Sequence, residues 1–250
     1  MRKVFALLSL LVVFSVALTA CGGAAPAEAP AAEAPAAEAP AAEAPAAEEA
    51  MEYKSKDPTT FVMATIGEPE TLDPALAYET AGGEIIQNVY ETLVFYDGEH
   101  TDKFVPQLAE SWEVSEDGTV YTFKIRSGVK FHDGADMTPE DVAYSFQRGL
   151  LYGGHSGPQW LLAEPFFGIG IDDVSLLVDP EGNLTDDTDA MKAADPELLK
   201  AACEKVVNAI VADEAAGTVT MTLAQSWGPF IPTIANGWGS IMDKDWTIAN

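Results

Sequence analysis

Residues that carry chemistry are scarce in this chain. Its 250 residues include two cysteines, Cys21 and Cys203, and three histidines, His100, His132 and His155. Two cysteines cannot build a disulfide framework. The histidines show no HxxxH or HExxH spacing for zinc, and neither a G-x-S-x-G elbow nor a phosphate-cradling glycine loop occurs. No metal, cofactor or catalytic constellation is therefore expected. His132 and Asp133 are adjacent and invite an acid/base reading, but inside the turn G-V-K-F-H-D-G a structural hydrogen bond accounts for them better. Positive charge is scarce as well, with 13 Lys+Arg against 40 Asp+Glu and a net charge of −27. A field of that sign repels nucleic acid and bare anionic membrane, and tolerates a cationic or zwitterionic solute. Solvation alone also explains such acidity.

Long apolar runs are limited to one, Val4 to Ala17, behind the basic Met1-Arg2-Lys3. It is short for a span of about 20 apolar residues, which argues against a signal-anchor helix. The run ends in Leu18-Thr19-Ala20-Cys21, which resembles a bacterial lipobox. Residues 1–20 thus read as a lipoprotein signal peptide, with cleavage before Cys21 and lipidation of its sulfur. Two or more acyl chains would hold the protein at a membrane surface. Residues 21–56 follow as a linker in which Ala-Pro-Ala-Ala-Glu recurs, with prolines at 26, 30, 35, 40 and 45. Regular proline suppresses helix and evenly spaced glutamate repels, so a semi-extended spacer is expected. A proline-motif ligand for another domain is the runner-up.

From Ala109 to Leu150 the local signals follow one another without a break. Trp112 and Val114 alternate with polar neighbours, Glu116-Asp117-Gly118 supplies a turn, and Tyr121, Phe123 and Ile125 recur with period two. This predicts a β-hairpin with one buried aromatic face, Trp112 included. After the turns at Ser127-Gly128 and Asp133-Gly134, Thr138 stands as N-cap, Pro139 at the first helical position and Asp141 where a capping-box acid reaches back. Val142, Phe146 and Leu150 give that helix its apolar stripe.

The order W, acidic-Gly turn, Y-T-F-K-I-R, G-V-K-F-H-D-G, T-P-E-D-V-A-Y-S-F closely resembles the signature of the extracellular solute-binding proteins of family 5. That family includes peptide-binding lipoproteins of ABC importers. Upstream, a strand over Thr60 to Ile66, the turn Thr71-Leu72-Asp73-Pro74, a loop from Ala75 to Gly83 and a helix carrying Ile85, Ile86, Val89, Tyr90 and Leu93 fit the same pattern, with Asn88, Tyr90, Glu91 and Leu93 at its N-x-Y-E-x-L positions. The resemblance implies an α/β fold: a lobe like that of a class II periplasmic binding protein, with a mixed sheet and helices, plus a smaller α+β subdomain. The second lobe of the family is expected to be absent from this chain, which looks like an amino-terminal half. The implied division is 57–97 for the first part of lobe I, 98–205 for the inserted subdomain and 206–250 for the return to lobe I.

Beyond Leu150 the signals are weaker. Asp179, Glu181, Asn183, Asp186, Asp187 and Asp189 suggest a calcium loop, yet Leu184 stands where the loop needs glycine and Ala190 where it needs the closing glutamate, so a solvated insertion is expected. A helix capped at Asp195-Pro196 places Cys203 with Leu199, Val206 and Ile210 on its apolar side, as a buried inert thiol. Val206 to Val211 and Thr218 to Leu223 read as a second hairpin, and Trp227 to Trp238 as an apolar stretch left exposed without the second lobe.

The resemblance implies a binding protein that hydrolyses nothing, closes on a peptide or other small solute, and delivers it to ABC permease subunits while anchored by lipid outside the membrane. By gapless counting from Asp73-Pro74 and back from Tyr90-Glu91, it places Tyr78, Glu79 and Thr80 at the ligand-facing edge. Backbone groups there would bond the ligand, Tyr78 would offer a stacking face and Glu79 would attract an amine. A lipid-anchored hydrolase and a surface sensor or adhesin are the alternatives.

Overall fold

A computed structural model describes residues 56–64, 67–154, 157–184 and 188–250. The leader, Cys21 and the proline-rich linker lie outside the described residues, as do Asp186 and Asp187. The chain divides into two units, Met1–Thr60 and Phe61–Asn250. In the first, the Asp57 carboxylate accepts hydrogen bonds from the amide and hydroxyl of Thr59 and from the Thr60 hydroxyl.

In the second unit, helix α1 (Thr80–Val89) leads into strands β1 (Val94–Tyr96) and β2 (Phe104–Pro106), which pair antiparallel. Strands β3 (Ala109–Val114) and β4 (Val120–Ile125) follow, then helices α2 (Pro139–Tyr152) and α3 (Trp160–Phe167). Helices α4 (Thr188–Ala193) and α5 (Pro196–Ala209) precede strands β5 (Ile210–Asp213) and β6 (Thr218–Thr222). Helices α6 (Phe230–Ile234) and α7 (Lys244–Ala249) complete the order.

The expected β3/β4 hairpin forms, with Trp112 opposite Phe123 and Val114 opposite Tyr121. Its turn needs Gly118, whose φ of 71° lies in the left-handed region that side chains disfavour. Asp117 secures the turn by accepting from the Ser115 hydroxyl and from the amide and hydroxyl of Thr119. β6 then adds to the other side of β4, and β5 to β6, giving the order β3-β4-β6-β5. One sheet thus joins strands from 109–125 with strands from 210–222.

Helices cover one face of this sheet. Tyr121, Phe123, Ile125, Val219, Met221 and Ile210 are buried beneath them, with Val142, Phe146 and Leu150 of α2 and Val206 of α5. Lys124 and Thr222 face the other way and are exposed. This is the alternation of an antiparallel sheet with one solvated face. The α2 capping box forms as the sequence predicts: the Asp141 amide donates to Thr138 Oγ1, and Asp141 Oδ2 accepts from the Thr138 amide at 2.8 Å.

Several expectations are corrected. Trp112 is only partly buried and Val114 is 46% exposed, because β3 is the edge strand and a bulge at its start shifts its register. Thr60 to Ile66 forms no strand over its described residues. Phe61 is 91% exposed there, and no strand among the described residues pairs with the segment. α1 ends at Val89, Tyr90 turns extended as its cap, and Leu93 enters the core from a β-type pairing in which its carbonyl accepts from the Ala109 amide. α5 runs to Ala209, so the second hairpin begins only at Ile210. Cys203 on α5 is exposed, because the buried side of that helix runs through Ala202 and Val206. Finally, the Trp227 to Trp238 stretch is packed: Phe230 and Ile234 are fully buried, with the Phe230 ring 4.6 Å from that of Tyr121 and 5.7 Å from that of Phe166.

Candidate functional site

The loop singled out by sequence begins with a tight turn. The Asp73 carbonyl accepts from the amides of Leu76 and Ala77, and Asp73 Oδ1 accepts from the Ala75 amide at 3.0 Å. The carboxylate also binds across the structure. Arg148 on α2 donates Nη1 to Oδ1 at 2.8 Å and Nη2 to Oδ2 at 2.6 Å. This two-point geometry is the strong form of a carboxylate–guanidinium pair. The guanidinium carbon lies 4.8 Å from the centroid of the Tyr152 ring, a cation–π contact.

The environment decides the charge states. Burial raises the Asp73 carboxyl, but the hydrogen bonds from Arg148 and Ala75 and the positive charge of Arg148 outweigh it and hold the group below the ordinary carboxylate value. The hydrogen bond to Asp73 raises Arg148 in turn, against its own partial burial. Burial, with the Asp73 charge adding, pushes the Tyr90 phenol up. The pair therefore stays charged at neutral pH and ties the loop to the first helix of the sheet layer.

Of the three expected site residues, Tyr78 is 53% exposed and presents its ring to solvent. Thr80 is exposed at the start of α1. Glu79 is the helix N-cap: its Oε2 accepts from the Gly82 amide at 2.6 Å, while Oε1 is buried without a hydrogen-bond partner. In this structure the Glu79 carboxylate serves the helix. Cys21 lies outside the described residues. Asp73 and Arg148 form an ion pair at this loop that sequence reasoning missed. The one available signal was an arginine in a chain with few cations, placed on the α2 face beside its apolar stripe.

Asp133 accepts from the Ala135 amide at 2.9 Å, as the turn reading expects. In the acidic stretch, Asp179 accepts from the amides of Glu181 and Asn183. Among the described residues, no group of three or more His, Cys, Asp or Glu is placed to hold a metal ion, and no helix is long and apolar enough to cross a membrane.

Residues 103–249 match the model of the bacterial extracellular solute-binding proteins, family 5 Middle. The chain is 45% identical over 106 residues to heme-binding protein A of Haemophilus influenzae, a match covering 40% of this chain and 19% of that protein. It is 36% identical over 100 residues to the dipeptide-binding protein of Escherichia coli, covering 36% of this chain and 18% of the relative. Its structure resembles that of the PBP AgaA of A. tumefacien R10 in complex with agropinic acid, with a TM-score of 0.50 and 27% identity over 74% of this chain and 28% of the other. The matches thus span less than a fifth of each of these two relatives and under a third of the solved structure. With more than half of its residues matched by the family model, and with the mixed α/β fold of periplasmic binding proteins, the chain belongs to the bacterial extracellular solute-binding proteins of family 5.

Proposed function

We propose that this chain is part of the substrate-binding component of an ABC importer, capturing peptides outside the membrane and handing them to the permease subunits. The observation that carries this reading is the family match over residues 103–249, together with a peptide-binding relative. In this reading Tyr78, Glu79 and Thr80 form the ligand-facing edge. Tyr78 stacks on the ligand, backbone groups of the loop pair with an extended peptide, and such pairing tolerates many side chains. Asp73 and Arg148 hold the loop in place. The protein is no hydrolase, because the energy of import comes from the ATPase partner. Lipid on Cys21 keeps it at the outer face of the membrane, and the linker spaces it from the surface.

The test is calorimetry with di- and tripeptides on the polypeptide extended to the length of its relatives. Affinity of about micromolar or tighter is expected, roughly 8 kcal/mol, with a loss of about tenfold in Tyr78→Ala. Binding no tighter than millimolar, or release of amino acids from the peptides, overturns the reading. Detergent partitioning of the mature protein, abolished in Cys21→Ala, tests the anchor. The heme-binding relative favours a second cargo at the same site. Titration with hemin, followed by its absorbance, separates the two.

A further inference from the structure

Helix α1 has ten residues and is therefore about 15 Å long. Tyr78 lies just before its start, and at its far end, beyond Val89, opens a cavity of about 350 Å³. That volume falls at the lower end of the range for small-molecule sites, about 300–1,000 Å³, and suits a body the size of a phenylalkyl group. Phe131, Met137, Ile241 and Trp246 are among its apolar walls.

The walls are fixed by hydrogen bonds between segments far apart in sequence and by local turns. The Ile241 amide donates to the Glu91 carbonyl at 3.0 Å, the Met137 amide to the Val129 carbonyl at 2.9 Å, and the Trp246 amide to Asp243 Oδ1 at 2.7 Å. Trp246 nevertheless remains 55% exposed, so it is accessible to an incoming ligand.

The polar lining gives the cavity a sign. Glu91, Asp133 and Asp243 line it, and none of them is ion-paired among the described residues. Their side chains accept from neutral groups: the Gln107 side-chain amide, the Ala135 backbone amide and the Trp246 backbone amide. Lys130 also lines the cavity, but its ammonium is 2.6 Å from Asp136, which is not part of the lining. The His132 imidazole is the other basic group present. Three carboxylates without an ion-pair partner among the described residues, against one lysine engaged elsewhere and one histidine, leave this apolar, aromatic-walled space net acidic, which disfavours an anion and favours a cation, and aromatic faces attract an ammonium group besides.

We propose that this cavity is a second ligand site, distinct from the loop at Tyr78, and that it takes small organic amines. The ammonium group sits among Glu91, Asp133 and Asp243, and the apolar body packs on Phe131, Met137 and Trp246.

Calorimetry on the purified protein tests this with two probes of similar size and opposite charge, benzyltrimethylammonium and 3-phenylpropionate. The cation is expected to bind at least about tenfold more tightly, a difference of about 1.4 kcal/mol. Its affinity should fall several-fold in about 1 M NaCl, where the screening length is only about 3 Å. Glu91→Gln keeps the shape and removes one charge, and should weaken the cation alone; Trp246→Leu keeps the apolar wall and removes the aromatic face, and should weaken it too. Circular dichroism confirms that both variants fold. Saturating peptide should leave the amine titration unchanged. Equal affinity for the two probes, no binding of the cation below about 10 mM (a binding energy under about 3 kcal/mol), unchanged affinity in both variants, or displacement by peptide would each overturn the proposal.

Discussion

Replacing Arg148 by methionine keeps most of the alkyl stem and removes the guanidinium. Asp73 then loses both of its charged hydrogen bonds, at 2.8 and 2.6 Å, while its side chain stays mostly covered, at 21% exposure. An exposed ion pair contributes under about 1 kcal/mol, and breaking a fully buried one costs about 3–5 kcal/mol. This pair lies between those limits, which puts the cost of Arg148→Met at about 2 kcal/mol. Loss of the Tyr152 contact adds about 0.5 kcal/mol at partial exposure. Urea unfolding followed by tryptophan fluorescence measures it. A double-mutant cycle with Asp73→Asn isolates the pair from the turn bonds, which the substituted amide in part retains. The pH dependence has a definite sign. The folded carboxyl is held below its unfolded value of about 3.9, so the coupling is complete well above that pH and disappears as the pH falls through the folded value. A coupling under about 0.5 kcal/mol at pH 7, the level of an exposed pair, or one that does not shrink on acidification, would show that the loop is held by its turn and not by Arg148.

Much of the fold was legible because the information was local. Thr138, Pro139 and Asp141 lie within four positions of one another and specify the start of α2 by backbone chemistry alone. Tyr121, Phe123 and Ile125 declare their shared face by period. The errors arose where a partner elsewhere decides. Thr60 to Ile66 reads as a strand, but no strand lies beside its described residues, and Phe61, Val62 and Met63 are exposed. Cys203 and Ala202 are one position apart on α5, and only the packing of α2 against that helix selects which of them faces inward. Trp227 to Trp238 is apolar because it covers Tyr121 and Phe166, a destination its own sequence does not state. The site was less legible for the same reason. Arg148 and Asp73 are 75 residues apart, and no spacing rule links them. That Glu79 caps α1 was not legible either, because Ser, Thr, Asp and Asn are the usual caps and a glutamate gives no such signal until its carboxylate is seen on the Gly82 amide. The cavity at the end of α1 is assembled from separate segments and leaves no trace in any one of them.

Two further outcomes follow from burial. Cys203, exposed on α5, should react with a thiol reagent as completely in the native protein as in urea, with the modified peptide identified by mass; protection until unfolding would return it to the core. The last prediction compares Trp112 with its cross-strand partner Phe123. Phe123 is fully buried on β4, flanked by β3 on one side and β6 on the other, so Phe123→Ala removes contacts on every side and should cost about 3–5 kcal/mol. Trp112 is the larger residue and would rank first if size decided. It stands on the edge strand and is only partly covered, so part of its ring is already in water and its loss opens a groove instead of a closed cavity. About half the cost of a buried aromatic, roughly 2 kcal/mol, is expected for Trp112→Ala. Chemical denaturation of both variants gives the order, and a Trp112→Ala cost equal to or above that of Phe123→Ala would mean that β3 is covered in the folded protein and is not the edge of the sheet.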